Sequence, residues 1–98
     1  MKRSTRQLIR KMVSVAKQEP IEKMWLFGSF SRGDENADSD IDLLVQMQPN
    51  DLTIIGFLKI QTRLEKATQK SVDLIEEDCL EDFARASADR DKILIYAR

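Results

Sequence analysis

Two aspartates one residue apart inside an apolar run, Asp40 and Asp42 in Ser39-Asp40-Ile41-Asp42-Leu43-Leu44-Val45, are the clearest candidates for chemistry in this chain. Aspartate is depleted in strands. Side chains alternate along a strand, so both carboxylates would leave one face, with their backbones about 6–7 Å apart from the strand rise. Ile41, Leu43 and Val45 would turn the other way, into a core. Like charges so close repel each other unless a counter-ion joins them. A divalent cation such as Mg²⁺ takes oxygen ligands, usually one or two carboxylates together with substrate phosphates. Two such ions can activate an attacking oxygen and stabilise a leaving one. The competing reading is a pair of solvent-facing strand residues.

A second group lies upstream. Gly28-Ser29 follows the apolar run Met24-Trp25-Leu26-Phe27 directly. Glycine lets a phosphate approach the backbone, and a serine hydroxyl with loop N–H groups can bind its oxygens. Arg32 could add a charge-assisted contact. Taken alone, Gly-Ser reads more simply as a turn. Gly28 and Gly33 have the glycine spacing of a P-loop, but Asp34 and Glu35 stand where Lys and Ser or Thr are required, which excludes that motif.

Gly28-Ser29, a spacer of ten residues and Asp40-x-Asp42 together resemble the signature of the polymerase-beta-type nucleotidyltransferases. With Arg32-Gly33 and the full Ser39–Val45 run, the chain is similar to the minimal nucleotidyltransferases of that superfamily, over nearly its whole length. The resemblance implies a nucleotidyltransferase fold. It implies metal on Asp40, Asp42 and a third carboxylate, for which Asp73 in Val72-Asp73-Leu74 stands in the matching place. It also implies phosphate contacts from Gly28, Ser29, Arg32 and Ser39. Mg²⁺ is the expected metal, with Mn²⁺ open, and ATP the expected donor. Ser31 and Ala37 sit where relatives often carry Ala and Pro, a departure that bears on loop shape rather than on metal ligands. Minimal nucleotidyltransferases are often paired with HEPN-domain RNase toxins. The resemblance therefore implies an antitoxin that moves AMP onto a toxin tyrosine, with Asp73 helping to deprotonate it. A binding module that neutralises its partner by occlusion, and transfer to a small molecule, are the alternatives.

The elements that must position these residues follow from apolar spacing. Leu8, Ile9, Met12, Val13 and Ala16 recur at helical intervals and predict a helix over Thr5–Lys17, capped by Ser4 or Thr5 and stopped by Pro20. Met24–Phe27 predicts a buried strand, with Trp25 as a core aromatic. Gly28–Ser39 reads as a loop with a helical turn near Phe30–Arg32. Asp40–Gln46 predicts a second strand, and Pro49-Asn50 a turn. Ile54, Ile55, Leu58 and Leu64 predict a helix over Leu52–Ala67, weakened by Gly56. Ser71–Ile75 reads as a strand, Leu80–Ala88 as a helix with Leu80, Phe83 and Ala84 on one face, and Ile93–Tyr96 as a last strand. The order α-β-β-α-β-α-β predicts an α/β (α+β) fold, a small mixed sheet flanked by helices.

Composition bounds the rest. A chain of 98 residues accommodates one domain, residues 1–98, and leaves no room for a separate acceptor-binding domain. With no histidine, His-ligated zinc and histidine-dependent nucleophiles are excluded, so carboxylates, Lys, Tyr or metal-bound groups must carry any acid–base work. A net charge of −1 gives no ground for direct nucleic-acid binding. The basic run Lys2, Arg3, Arg6, Arg10, Lys11 and Lys17, and the acidic run Asp73, Glu76, Glu77, Asp78, Glu81 and Asp82, read as solvated faces or as a docking surface. The lone Cys79 cannot form an internal disulfide. Together with the absence of a signal peptide and of a membrane-length apolar run, it predicts a reducing, cytoplasmic setting.

Overall fold

A computed structural model describes residues 1–49, 53–80 and 82–98, excepting the side chains of residues 82 and 83. In chain order the elements are α1 (Arg3–Ala16), β1 (Ile21–Phe27), α2 (Ser29–Arg32), β2 (Ile41–Met47), α3 (Ile54–Thr68), β3 (Val72–Glu76), a 3-10 turn (Glu77–Cys79), α4 (Asp82–Asp91) and β4 (Ile93–Ala97). The expected turn residue Asn50, the helix start at Leu52 and the side chain of Phe83 lie outside the described residues.

The four strands form one mixed sheet in the order β3-β2-β1-β4. β1 runs antiparallel to β2 and β4, whereas β2 and β3 are parallel, joined by α3 as the crossover. One sheet face is the core. Met24 and Leu26 from β1, Ile41, Leu43 and Val45 from β2, and Val72 and Leu74 from β3 pack there against Met12, Val15 and Ala16 of α1 and Ile60 and Leu64 of α3. The opposite face carries the alternate residues. Trp25, Leu44 and Ile75 lie in one cross-strand row, and Phe27, Asp42 and Asp73 in the next.

Three expectations about these elements are corrected. β1 starts at Ile21, not Met24, because a bulge between Ile21 and Lys23 lets Ile21 and Met24, three residues apart, both turn inward. Simple alternation hides such a strand. Thr5 does not cap α1. The N-cap is Lys2, without a side-chain bond, and Thr5 is buried inside the helix, donating to Glu35 Oε1 at 2.8 Å. The α3 stripe is only half a core stripe. Leu64 is buried with Ile60, whereas Ile54, Ile55 and Leu58 are 82%, 69% and 54% exposed. Among the described residues, no helix is long and apolar enough to cross a membrane.

Candidate active site

The end of β1 sets the site. Gly28 follows Phe27 with φ 73°, in the left-handed half of backbone space that glycine tolerates. The chain then enters the single turn of α2, closed by Gly33 at φ 80°. Gly28 O accepts from Ser31 N and Arg32 N, and from Ser31 Oγ at 2.8 Å. Serine at position 31 thus braces the turn whose shape its departure from the family pattern put in question. Ser29 opens α2, and its hydroxyl makes no hydrogen bond among the described residues.

Phe27 pairs with Asp42 on β2, and Asp42 pairs with Asp73 on β3. The two aspartates are therefore direct neighbours across a parallel ladder, on strands about 4.8 Å apart. A β-carbon built on Gly28 would lie 2.2 Å from Asp42 Oδ2, so the glycine backbone and this carboxylate are in contact. Asp42 is half-buried, and its carboxyl is pushed up to about 6, first by burial, then by the charge of Asp73, by Asp73 as hydrogen-bond partner, and by Asp40. Arg32 pulls weakly the other way.

Asp40 stands one residue before β2 and is exposed. The adjoining Ile41 N donates to Ser71 O at 2.9 Å, which starts the β2–β3 pairing. The structure thus brings Asp42 and Asp73 together, with Asp40 close enough to act on Asp42 by its charge. Among the described residues, no three His, Cys, Asp or Glu side chains are drawn in tightly enough to enclose a metal ion as they stand.

The loop leading to Asp40 is tied down along its length. Asn36 Oδ1 accepts from Asp38 N at 2.8 Å, and Ser39 Oγ accepts from Asn36 N at 2.9 Å, a self-closed Asx-type turn. Ser39 therefore sits in the loop's own bracing. Glu35 fixes the loop to α1. Its side chain is 6% exposed, it accepts from Thr5, and Lys2 Nζ lies 3.5 Å from Oε2. Burial pushes the Glu35 carboxyl up, but the Thr5 bond and Lys2 outweigh it, so the group is held below the usual carboxylate range. In sequence, Glu35 stands out only as a bar to a P-loop. Nothing in the local pattern marks it as the residue that anchors the loop.

Arg32 is occupied. Its Nε meets Asp34 Oδ2 and its Nη1 meets Asp91 Oδ2, both at 3.1 Å, linking α2 to the end of α4. Those bonds raise its already high pKa. A phosphate would have to share or displace these partners. Asp91 carried no sequence signal, because its partner lies 59 positions away. Trp25 is partly exposed, with Lys92 Nζ 5.1 Å from its ring centre.

Residues 10–98 match the family model described as "Polymerase beta, Nucleotidyltransferase". The chain is 28% identical over 93 residues to "Putative protein adenylyltransferase MJ1379" of Methanocaldococcus jannaschii, covering 92% of this chain and 93% of that protein. A solved structure described as a putative minimal nucleotidyltransferase superposes with a TM-score of 0.76 at 27% identity, over 90% of this chain and 89% of its own. A toxin–antitoxin structure with AMP-PNP gives a TM-score of 0.79 at 21% identity, over 92% and 73%. The complex of tri-AMPylated Shewanella oneidensis HEPN toxin with MNT antitoxin gives 0.74 at 18%, over 96% and 73%. At such identities the last two likenesses speak for the fold. The match over residues 10–98 covers the Gly28-Ser29 turn and all three aspartates, and by it the chain belongs to the polymerase-beta nucleotidyltransferase family.

Proposed function

We propose that this nucleotidyltransferase transfers AMP from ATP to a tyrosine of a HEPN-domain RNase toxin in the cytoplasm, and so acts as its antitoxin. The observation that carries this reading is the Asp42–Asp73 pair, registered across a parallel ladder, with Asp42 against the Gly28 backbone. Support for a protein acceptor comes from the relative named as a protein adenylyltransferase, and support for ATP and a HEPN partner from the likeness to the AMP-PNP and tri-AMPylated toxin complexes.

The site fits a divalent cation. Asp42 is pushed up to about 6 by burial, by Asp73 and by Asp40, the unfavourable charge crowding that a cation relieves. Asp40, Asp42 and Asp73 would hold Mg²⁺, or Mn²⁺, which supplies charge stabilisation for the phosphate and acceptor oxygens. The chain's own groups do the rest. The turn that follows Gly28 would take the phosphates, with the Ser29 hydroxyl, unbonded among the described residues, donating to them. Arg32 and Ser39, at the two ends of the loop, are further phosphate contacts in this reading. Asp73 accepts the proton of the tyrosine hydroxyl, whose unperturbed pKa of about 10 leaves it protonated at neutral pH. The phenolic oxygen bonds to the α-phosphorus, the bond from that phosphorus to the bridging oxygen breaks, and pyrophosphate leaves.

The test is intact-protein mass spectrometry of a HEPN-domain RNase toxin after incubation with this chain, ATP and Mg²⁺. The expected result is a gain of one AMP mass or a multiple of it, abolished by Asp42→Asn. No gain with the wild-type chain would rule out the transferase reading. Neutralisation of the toxin by Asp40→Asn/Asp42→Asn in cells would instead establish occlusion.

A further inference from the structure

The first two turns of α3 present Ile54, Ile55 and Leu58 to solvent, three large apolar side chains within five residues. Scattered exposed apolar residues are ordinary, but a contiguous set beside a groove marks an interaction surface. Here the groove exists. Ile54, Phe57 and Leu58 of α3 face Leu74 and Ile75 of β3 and Cys79 across an apolar groove of about 510 Å³. On the far side of Leu58, Ile55 continues the apolar surface into a second groove rimmed by Lys59 and Lys66. Both lysines are exposed, and neither forms an ion pair among the described residues. The first groove reaches the catalytic strand. Ile75 lies two positions after Asp73 on β3, on the same face.

We propose that this α3–β3 surface docks the acceptor protein through an amphipathic helix that carries an apolar row flanked by acidic side chains. The inference rests on the protein-acceptor reading above and deepens it. Three features select that occupant. Leu58 stands one helical turn from both Ile54 and Ile55, a ridge of the kind that packs into the groove of another helix. The cationic rim of Lys59 and Lys66, which form no ion pair among the described residues, asks for carboxylates on its own side, away from Glu76 on the opposite wall. An added β-strand would be obstructed at the start of β3, where the backbone groups of Val72 that face away from β2 are already taken: Val72 N donates to Glu65 Oε2 at 3.0 Å and Val72 O accepts from Gln61 Nε2 at 2.8 Å. A helix lying in the groove would hold its protein beside Asp73. The enzyme would then recognise its acceptor by a surface separate from the reacting atoms.

Cys79, exposed and the single cysteine of the chain, reports on the groove directly. The HEPN acceptor protein should slow alkylation of Cys79 by iodoacetamide at least fivefold without any nucleotide, and equally so for Asp42→Asn. Leu58→Glu should abolish that protection and raise KM for the HEPN protein at least tenfold, with kcat and ATP affinity nearly unchanged. Lys59→Glu should raise KM by a smaller factor, and its circular dichroism should match wild type. Unprotected Cys79 in a complex that still forms, or an unchanged KM for Leu58→Glu, overturns the inference. So does a dimer of this chain, seen by sedimentation, that dissociates on Leu58→Glu, because the surface would then serve a second copy. Protection of Cys79 without any AMP transfer leaves the docking surface standing and removes only the transferase reading.

Discussion

Gly28 and Asp42 are in contact: the backbone at the end of β1 lies so near the β2 carboxylate that a β-carbon would stand 2.2 Å from Oδ2. The glycine therefore serves twice, by its positive φ and by its lack of a side chain.

Gly28→Ala should separate activity from stability. The first atom it meets, Asp42 Oδ2, can rotate away, but Cγ and Cβ of the same residue at 3.1 and 3.3 Å must also give, and with φ 73° and ψ −152° the fold should lose about 1–3 kcal/mol. The rotation takes Asp42 out of its place beside Asp73, and the AMP-transfer rate should fall at least about 100-fold. Urea denaturation and a transfer assay on the same preparation check this. Equal losses of folding and activity would count against the contact.

Asp42 should make the metal-free protein more stable in mild acid. Its folded-state pKa of about 6 lies above the ordinary 3.8, so the folded state binds more protons than the unfolded state between those values. The associated stability is fully present below 3.8 and is lost as pH rises through about 6. In chelator, Tm should rise as pH falls from 7 to 5. Glu35, shifted the opposite way, acts only at lower pH. Asp42→Asn should flatten the profile and raise Tm at pH 7 while abolishing transfer, the trade of stability against function expected at a charged site. A profile that keeps its slope in Asp42→Asn would assign the proton to another group.

Much of this site was legible because its information is local. Asp40-Ile41-Asp42 announces itself by alternation, and Gly28-Ser29 by its place after an apolar run. Val72-Asp73-Leu74 follows the same rule, and the β2–β3 register puts Asp73 opposite Asp42. What escaped is information carried between distant positions. The Thr5–Glu35 bond spans 30 residues and the Arg32–Asp91 pair spans 59. Neither residue type nor spacing reports such pairs. The bulge that starts β1 at Ile21 escaped because it breaks the period that identifies strands. The exposure of Ile54, Ile55 and Leu58 escaped because an apolar stripe looks the same whether its own core or a partner covers it.

Glu35→Ala should cost about 1–3 kcal/mol, since it removes a buried carboxylate and leaves the Thr5 hydroxyl without its acceptor. Thr5→Val should cost at least as much, because it takes the hydroxyl donor from a buried carboxylate and leaves it the Lys2 charge 3.5 Å from Oε2. Both variants should show faster amide exchange over residues 34–40, measured by hydrogen–deuterium exchange. Normal protection in Glu35→Ala would mean the loop is held by its own turn alone.

Arg32 offers a distinction between phosphate binding and tethering. If its contact with the nucleotide matters, Arg32→Ala should raise KM for ATP about tenfold, the cost of one charge-assisted contact of about 1.4 kcal/mol. Asp91→Asn should leave KM for ATP near wild type, because it frees the guanidinium without removing it. Equal KM changes in the two variants would identify Arg32 as a tether between α2 and α4.

The clasp between α1 and the loop has a practical consequence. The family match begins at residue 10, yet the segment presenting Asp40 is pinned by Lys2 and Thr5. A protein trimmed to that homology boundary would keep Asp40, Asp42 and Asp73 and lose the fastening of the loop that leads to Asp40. Its weakness would then be mistaken for faulty chemistry. The opening turn of the first helix is thus a working part of the active-site scaffold.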